Sequence, residues 1–358
     1  MQMDNSARDA RLEAVHQRLE AAVGNLVTGD DWKRAMTFAA QFRSRSFNNT
    51  VLIWAQHAHA HEQGRVPDPT PTYVAGFKQW LSLGRAVMRG QSGYAILAPV
   101  SARYASPTPT NAESWRRLAS GEKPKWGETV RSKLVGVRPT YVWDVSQTSG
   151  DPLPELPRPV LLQGEAPAGL WDGLADQITG AGYELRLVSN AAAIGGANGL
   201  TDFVSRAVSI RVDMDDSAQA KTLAHELGHV LLHAPGDAGE GGLMAVAADA
   251  ATHRGIAEVE AESVALMIGA AHGLDTTSYT VPYVSTWASS VEGKSPVEVI
   301  QATAERVRSA AIGVLDKLET PKVGDGNPPG LDREALAAQH RRSGVQTAAR
   351  RHVEAMGL

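Results

Sequence analysis

Residues 222–233 constrain the fold of this chain most, because they read Thr-Leu-Ala-His-Glu-Leu-Gly-His-Val-Leu-Leu-His. His225 and His229 are four residues apart, so on an α-helix they share one face and can bind one metal ion between them. Glu226 lies one residue further round, where it can reach a water at the metal instead of the metal itself. We therefore predict a helix that presents a metal site with a proton acceptor beside it.

The residues around this segment also favour a helix. Asp215, Asp216 and Ser217 can cap its N-terminus, because their side-chain oxygens accept hydrogen bonds from the first backbone N–H groups. Pro235 and the glycine after it end the helix. The apolar face expected to enter the core consists of Leu223, Leu227, Val230 and Leu231.

Two histidines do not complete a catalytic zinc site, which has three protein ligands and one position open to water. The metzincin pattern requires a third histidine six residues after the second, but Pro235 stands there. His233 follows His229 by one turn, and ligands from three successive turns of one straight helix cannot converge on one ion. We therefore expect His233 to line the site or to pack, and the third ligand to come from another element.

The next predicted helix, residues 257–271, carries three glutamates near its start. At about 100° per residue, Glu258 and Glu262 share a face, whereas Glu260 points about 200° away from Glu258. We expect Glu258 to be the third metal ligand and Glu262 to orient a ligating histidine. The alternative is that Glu260 is the ligand, which requires this helix to be rotated by half a turn.

These residues predict a hydrolase that uses one Zn²⁺ per chain. The metal lowers the pKa of a water to about 7, and Glu226 takes its proton and later protonates the leaving amine of a peptide. The strand expected over residues 207–213 is the predicted edge along which an extended peptide pairs. Three side chains are candidates to stabilise the oxyanion, and the sequence does not choose among Tyr279, Tyr283 and His233.

Composition limits the remaining possibilities. A chain of 358 residues is long enough for two domains. The absence of cysteine excludes disulfides, thiolate zinc sites and cysteine nucleophiles. No apolar run resembles a secretion signal or a membrane span, so we expect a cytoplasmic protein without a membrane partner.

Charge is distributed unevenly along the chain. Residues 1–150 have 19 lysines and arginines against 12 acidic residues, whereas the remaining residues have 16 against 27. The first half therefore has a balance of +7 and the second a balance of −11. This asymmetry favours a polyanion as the partner of the first half.

Single-stranded DNA is the expected partner, since binding it without sequence preference needs a basic groove and aromatic faces for stacking. Residues 77–94 offer both, with Arg43, Arg45 and Asn49 as further candidates at the border of the same surface. Phe77 and Trp80 can instead be core residues, because an aromatic side chain in a leucine-containing segment such as residues 77–83 is more often buried than exposed. The candidate DNA-binding residues are Phe77, Lys78, Trp80, Arg85, Arg89 and Tyr94.

The order of predicted elements indicates an α+β protein with two domains. Besides the histidine helix, hydrophobic spacing predicts helices over residues 6–27, 31–45, 51–57, 77–83, 169–180, 257–271 and 296–318. We expect a hairpin with arms at residues 86–89 and 94–99, and strands over residues 134–137, 140–145, 184–189 and 207–213.

The predicted domain boundaries follow the proline-rich stretches. Residues 1–149 form a helix-plus-small-sheet domain that binds single-stranded DNA, in which residues 101–133 are an insertion or flexible flap. Residues 150–167 form a linker, residues 168–319 the metallopeptidase domain, and residues 320–358 a flexible basic tail.

Two resemblances extend this interpretation. The motif of residues 225–233 with the Glu-x-x-x-Glu helix after it resembles the ImmA/IrrE-type metallopeptidases, gluzincins whose third ligand is a glutamate on a later helix. Residues 47–53, 74–85, 90–99 and 142–148 are similar to the N-terminal domain of ArdC-type antirestriction proteins. Together the resemblances cover roughly residues 6–315.

The resemblance implies that a single-stranded-DNA-binding domain precedes a zinc-peptidase-like domain. It also implies action when plasmid or phage DNA enters a cell as a single strand. The chain departs from the family pattern in residues 101–133 and after residue 320, so no role is inherited there.

Three functions fit these features. The first is a DNA-associated zinc metallopeptidase that binds single-stranded DNA and cleaves an unidentified protein substrate. The second is a non-enzymatic antirestriction protector that coats DNA and uses its metal for structure; an intact Glu226 favours an enzyme, because a structural site needs no general base. The third is a regulatory protease that cleaves a repressor and uses DNA to locate it.

Overall fold

The computed structural model describes residues 2–153, 164–235, 250–276, 279, 284, 288–289 and 293–331. Over these residues the chain is mixed α+β, which confirms the predicted class. Residues 154–163 of the expected linker, the glycine-rich residues 236–242, Tyr283 and the tail after residue 331 lie outside them. None of the described helices is both long and apolar enough to cross a membrane.

The chain divides into two compact units. The first comprises residues 1–17, 60–154 and 328–358, and the second comprises residues 18–59 and 155–327. These units differ from the expected boundary at residue 149, because the N-terminal helices are shared between them. The helices concerned are α1 (Gln2–Gly24), α2 (Gly29–Gln41) and α3 (Phe47–Glu62).

The physical reason lies in the apolar face of α2. Trp32, Met36 and Ala39 are fully buried, and α2 packs on α7 (Ala250–Ala271) of the same unit. The indole N–H of Trp32 donates to Ser263 Oγ of α7 at 2.8 Å. A buried indole needs such a partner, so this contact fixes α2 on the second unit.

The first unit is built on a four-stranded sheet with the order β1-β5-β3-β4. Its strands are β1 (Val74–Ala75), β3 (Tyr94–Ser106), β4 (Arg116–Arg117) and β5 (Thr129–Asp144). The predicted strands 134–137 and 140–145 are parts of β5, and the expected flap 101–133 is largely the long antiparallel β3–β5 hairpin. The short helix α4 (Phe77–Ser82) precedes strands β3 and β5 in the chain, as predicted.

The predicted hairpin between residues 86–89 and 94–99 is wrong. β2 (Arg85–Val87) pairs instead with β6 (Thr148–Gly150) in a separate two-stranded sheet. Arg85 explains the choice, because its guanidinium donates to Thr148 Oγ1 at 2.9 Å and to the carbonyl of Thr148 at 3.1 Å. These contacts hold β2 on β6.

The second unit holds a three-stranded sheet with the order β7-β9-β8. β7 (Glu184–Val188) runs parallel to β9 (Ala207–Arg211), and β8 (Gly199–Asp202) runs antiparallel to it. The prediction that residues 207–213 form an edge is therefore wrong, since β9 has a neighbour on both sides. The edges are β7 and β8, and the glycine and polar residues of β8 gave no strand signal.

Helices α5 (Leu170–Gly180), α6 (Asp216–His233) and α8 (Pro296–Leu315) complete the second unit. The predicted cap of α6 is confirmed, because Asp215 Oδ1 accepts from the N–H of Ala218 at 2.8 Å. Leu223, Leu227 and Val230 are buried, but Leu231 is 39% exposed and lies off the apolar face to which it was assigned.

Helices α6 and α7 approach each other closely at Gly228. A Cβ on Gly228 would lie 3.0 Å from Ala261 Cα and 3.3 Å from its carbonyl oxygen. The glycine inside the histidine motif therefore lets the two backbones meet. This contact aligns the histidines of α6 with the glutamates of α7.

Candidate metal centre and nucleic-acid interface

Three side chains meet between α6 and α7. His225 Nε2 lies 3.1 Å from His229 Nε2, and Glu258 Oε2 and Oε1 lie 3.4 Å and 3.5 Å from these two nitrogens respectively. One donor atom from each residue lies within 4.8 Å of the others. The structure thus brings together the two histidines and the glutamate that the sequence selects as ligands.

Glu262 lies behind His225, where the sequence places it. Its Oε2 is 3.1 Å from His225 Nδ1, and its Oε1 is 3.3 Å from Lys221 Nζ. A carboxylate only accepts hydrogen bonds, so His225 donates from Nδ1 to Glu262. This arrangement orients His225 for a ligand on the Nε2 side.

The cluster concentrates negative charge around His225. Burial lowers the pKa of His225, but hydrogen bonds to Glu258 and Glu262 and the charge of Glu226 raise it to about 9. Hydrogen bonds from His225 and His229 hold the pKa of Glu258 far below its usual value. Without another cation the site attracts a proton, which is the electrostatic preference expected of a cation site.

Glu260 does not turn away from the site as expected. Its side chain is only 2% exposed, and its Oε2 lies 3.0 Å from His233 Nε2. Its Oε1 lies 3.0 Å from Arg306 Nη1 of α8. The angle between Glu258 and Glu260 around α7 was predicted correctly. The surroundings of Glu260 were not, because His233 and α8 lie beside it.

Glu226 is buried beside the three donors, under strand β8. Its Oε2 accepts a hydrogen bond from Thr201 Oγ1 at 2.6 Å. A Cβ on Gly199 would lie 2.6 Å from its Oε1, so the β8 backbone passes directly over the carboxylate. Thr201 and Gly199 were missed in the sequence, which offers no signal for them.

The two described residues that were proposed to stabilise an oxyanion have other hydrogen-bond partners. Tyr279 is buried, and its hydroxyl donates to the carbonyl of Ala265 at 3.2 Å. His233 is engaged by Glu260 and His229. Tyr283 lies outside the described residues.

Two of the predicted DNA-binding aromatics are core residues. Trp80 is fully buried and donates from Nε1 to the carbonyl of Trp143 at 3.0 Å, and Tyr94 is buried in β3. Neither offers a ring face to a base, which corrects the prediction. Phe77 is 48% exposed and contacts Trp143 edge-on, with ring centroids 6.1 Å apart.

The lysines and arginines predicted to bind DNA do not all lie in one unit or remain free of the fold. Lys78 and Arg89 are exposed in the first unit, whereas Arg85 is held by β6. Arg43 belongs to the second unit, where it donates to the carbonyls of Ala40 and Val323 at 2.8 Å each. Arg45 and Asn49 lie in that same unit.

A basic surface that the sequence analysis missed lies on the β3–β5 hairpin and its connection. Residues 101–138 have eight lysines and arginines against three acidic residues. Two of the acidic residues, Glu122 and Glu128, both form ion pairs with the same residue, Arg116. Arg103 pairs with Ser132 and so faces the other side of the hairpin from Arg131. We call the rest of the exposed cations, with Trp126, the hairpin surface, and it consists of Arg117, Lys123, Lys125, Trp126, Arg131, Lys133 and Arg138.

An aromatic side chain is interleaved with these cations. The guanidinium of Arg131 lies 3.9 Å from the ring centroid of Trp115, and Trp126 is fully exposed. The signal available in the sequence was alternation in β5, since Arg131 and Lys133 fall on one face of a strand. It was overlooked because the segment was interpreted as a flap.

Comparison with known proteins identifies the first part of the chain. Residues 6–136 match the family model for the N-terminal domain of anti-restriction factor ArdC. The match spans residues 101–133, which corrects the expectation that this segment departs from the family. A search among curated proteins found no match.

Solved structures also resemble the chain. The metal-free crystal structure of the antirestriction ArdC protein from plasmid R388 is 18% identical, covers 75% of this chain and 84% of its own, and has a TM-score of 0.44. The Mn(II)-bound structure of that protein is 17% identical, covers 75% and 87%, and has a TM-score of 0.41. Residues 6–136 therefore form a domain similar to the N-terminal domain of anti-restriction factor ArdC, and the rest of the chain lies outside that match.

Proposed function

We propose that this protein is a DNA-associated zinc metallopeptidase that acts in antirestriction. The observation that carries the proposal is the buried Glu226 beside a cluster of two histidines and one carboxylate. A metal used only for structure needs no such neighbour, whereas hydrolysis needs a proton acceptor next to the ion.

The donor set fits zinc. A tetrahedral zinc with bonds of about 2.0–2.1 Å has its ligand atoms about 3.3–3.4 Å apart. The 3.1 Å between the two histidine nitrogens lies close to that value, and each nitrogen has a different oxygen of Glu258 near it, Oε2 at 3.4 Å from His225 and Oε1 at 3.5 Å from His229. Zinc held by His225, His229 and Glu258 would supply the Lewis acidity that brings the pKa of a water to about 7.

The protein residues then perform the proton transfers. Glu226 accepts the proton of the attacking water and returns it to the leaving amine, so that one group serves as base and then as acid. Thr201 donates to Oε2 of Glu226 and thereby fixes the plane of the carboxylate. The burial of Glu226 keeps bulk water from competing for that proton.

Strand β8 defines the substrate class. It is one of the two edges of its sheet within the described residues, and it is the edge that contacts Glu226. An extended polypeptide can add to such an edge through backbone hydrogen bonds. We therefore propose a flexible or unfolded protein segment as the substrate, bound along β8 instead of β9.

A direct test compares the full-length zinc-loaded protein with Glu226→Gln, using Glu184→Gln on the exposed strand β7 as control. Hydrolysis of an unfolded fluorescent polypeptide is measured with and without single-stranded DNA. Glu226→Gln should keep its zinc and lose at least about 100-fold in rate, the usual contribution of a general base. A parent protein that holds zinc and cleaves nothing would favour the non-enzymatic protector.

Single-stranded DNA binding is the second function we propose, and the hairpin surface supports it. Its cations can follow a phosphate backbone, while Trp126 and Phe77 offer exposed rings for stacking. Lys78 and Arg89 lie in the same unit and remain candidates. This assignment replaces Trp80, Tyr94 and Arg85, whose side chains are committed to the fold.

The test uses a labelled oligonucleotide and a titration of salt with the full-length chain. A variant with Arg131, Lys133 and Arg138 changed to serine should bind more weakly. Its salt slope should fall by about 0.7 for each cation that contacts a phosphate. The matched control removes three exposed cations elsewhere, Arg11, Lys294 and Lys317. Equal losses in both variants would show a response to net charge alone.

A further inference from the structure

We propose that Phe77, Tyr141 and Trp143 form a platform on which the unpaired bases of a single strand stack. We call these three residues the aromatic platform, and all of them belong to the first unit. The inference rests on the proposed binding of single-stranded DNA. It names the side chains that distinguish a single strand from a duplex, which the cations of the hairpin surface do not.

The two β5 residues of the platform lie on one face of the sheet. Tyr141 pairs with Ala95, and by the same register Trp143 lies opposite Gly93. A Cβ on Gly93 would lie 2.8 Å from the indole of Trp143 and 3.0 Å from Tyr141 Cβ. A glycine at this position therefore leaves room for both side chains, and the indole lies directly against the backbone.

Helix α4 adds the third ring. The ring centroids of Phe77 and Trp143 are 6.1 Å apart, and the ring planes make an angle of 68°, so the contact is edge-to-face. On the same helix, Trp80 is buried and donates from Nε1 to the carbonyl of Trp143 at 3.0 Å. This hydrogen bond fixes α4 on β5 and thereby holds Phe77 beside Trp143.

The rings of the platform are accessible to a ligand. Phe77 is 48% exposed, Tyr141 is 47% exposed, and Trp143 is half-buried. Large aromatic side chains contribute most to cores and interfaces, so three that share one exposed surface indicate an interface. Because α4 and β5 already hold the rings, a ligand that stacks on them loses little of its affinity to ordering the side chains.

Two exposed cations accompany the platform. Lys78 follows Phe77 in α4. Arg103 of β3 lies on the same face as Ala95, the partner of Tyr141, since an even number of residues separates Arg103 from Ala95. A chain of phosphates that carries its bases across the platform can therefore meet positive charge beyond it.

Strand β5 presents no carboxylate to such a ligand. Its one acidic residue, Asp144, is buried, and the carboxylate accepts from the N–H groups of Thr72 at 2.9 Å and Ser146 at 2.8 Å. Residues 60–154 have 12 lysines and arginines against seven acidic residues. An apolar protein segment would need no such excess, whereas a polyanion with flat apolar faces matches both the charge and the rings. Nucleobases on a phosphate backbone have this chemistry.

The faces of the bases separate a single strand from a duplex at this surface. In a duplex each base is stacked between its neighbours and presents its edges to the grooves, whereas an unpaired base offers a face of its own. Arg131 and Lys133 pair with Tyr104 and Ala102, so they lie on the opposite face from Tyr141. The platform and the hairpin surface can therefore be altered separately.

The experiment measures the affinity of the full-length protein for two fluorescent oligonucleotides of equal length over a titration of salt. One is a mixed-sequence single strand, and the other is its abasic counterpart, which keeps every phosphate and lacks every base. Tyr141→Ala should weaken binding of the mixed strand about 5–150-fold, the value of one stacked base. Its salt slope should equal that of the parent, because no phosphate contact is lost. Binding of the abasic strand should not change.

Three further variants separate stacking from other effects. Tyr141→Phe keeps the ring and should bind as the parent does. Leu134→Ala removes a side chain of β5 that is 60% exposed and apolar but not aromatic, and it should also bind as the parent does. Phe77→Ala should repeat the pattern of Tyr141→Ala from a different element, so that a local change in β5 is not its cause.

The outcomes distinguish this inference from the proposed function. A Tyr141→Ala protein that binds the mixed strand like the parent, or that loses as much affinity for the abasic strand, overturns the inference. Equal losses in Tyr141→Ala and Leu134→Ala also overturn it, because they indicate a general apolar surface of the kind that a protein partner covers. In these cases a parent that binds with the expected salt slope leaves DNA binding standing. A parent that binds neither strand removes the proposed DNA binding and the platform with it.

Discussion

The α6–α7 pair and the β3–β5 hairpin carry the two proposed activities, and their functional residues are distributed along the chain in different ways. In α6 the relevant side chains recur every three or four residues, so one segment contains most of the site. In the hairpin the cations come from two strands and their connection, and successive residues of each strand face opposite sides. Helical chemistry is therefore local in sequence, whereas the chemistry of the sheet depends on pairing.

Loss of a ligand should give the largest effect, and it tests the local half of this comparison. Glu258→Ala removes one of three donors, so zinc affinity should fall by more than the roughly 100-fold that an outer partner contributes. Metal content after dialysis against a chelator measures it, with Glu184→Ala as control. Retention of zinc by Glu258→Ala would mean that the spacing selected the wrong carboxylate.

Much of the second unit was predictable for this reason. The bounds of α6, its Asp215 cap and the shared face of Glu258 and Glu262 follow from helical periodicity and capping rules alone. The contact of Glu260 with His233 was not predictable, since it depends on how α7 is set against α6 at Gly228.

The first unit was less predictable, because strand partners are chosen by tertiary contacts. Strand β2 lies close in sequence to β3 but pairs with β6 about 60 residues away, through the contacts of Arg85. Similarly, Phe77 and Trp80 are three residues apart on α4, yet one is exposed and the other is buried. Composition indicated a basic, aromatic surface and could not say which residues form it.

Trp80 and Phe77 provide the second test, because they separate fold from binding on one helix. Trp80→Ala should reduce the free energy of unfolding by about 3–5 kcal/mol, the usual cost of removing a buried aromatic side chain. Phe77→Ala should cost less than about 1.5 kcal/mol while weakening single-stranded DNA. Urea unfolding and oligonucleotide titration measure the two effects. A reversed pattern would place Trp80 in the interface and Phe77 in the core.

The third test concerns the pKa of a buried histidine. Helical spacing predicts where a histidine lies but not whether it is protonated. His272 is fully buried after the end of α7, and its Nε2 lies 2.7 Å from Thr320 Oγ1. Burial lowers its pKa to about 4, against 6.5 for the unperturbed group, which is the reverse of the shift at His225. The unfolded chain therefore binds a proton that the folded chain excludes between these two pH values.

Stability should consequently fall as the pH drops from 6.5 toward 4 and should not change above that window on account of His272. In the parent, the fall should be steeper by about 1.4 kcal/mol per pH unit than in His272→Gln. Urea unfolding at a series of pH values measures the difference in slope, so a constant loss of packing in the variant cancels. Parallel curves would mean that His272 is protonated in the folded protein.

The last test concerns the contact that joins the two helices of the site. Gly228→Ala places a methyl group 3.0 Å from Ala261 Cα, and a backbone neighbour cannot move aside as a side chain can. We expect a loss of about 1–3 kcal/mol, together with weaker zinc binding because His225 and His229 shift relative to Glu258. Gly313→Ala on α8 is the control, since no atom lies within 4 Å of its Cβ position and alanine favours a helix by up to about 1 kcal/mol. If both alanines are tolerated equally and zinc affinity is unchanged, close approach at Gly228 does not align the site, and the glutamates of α7 must be positioned by its packing on α2 and α8.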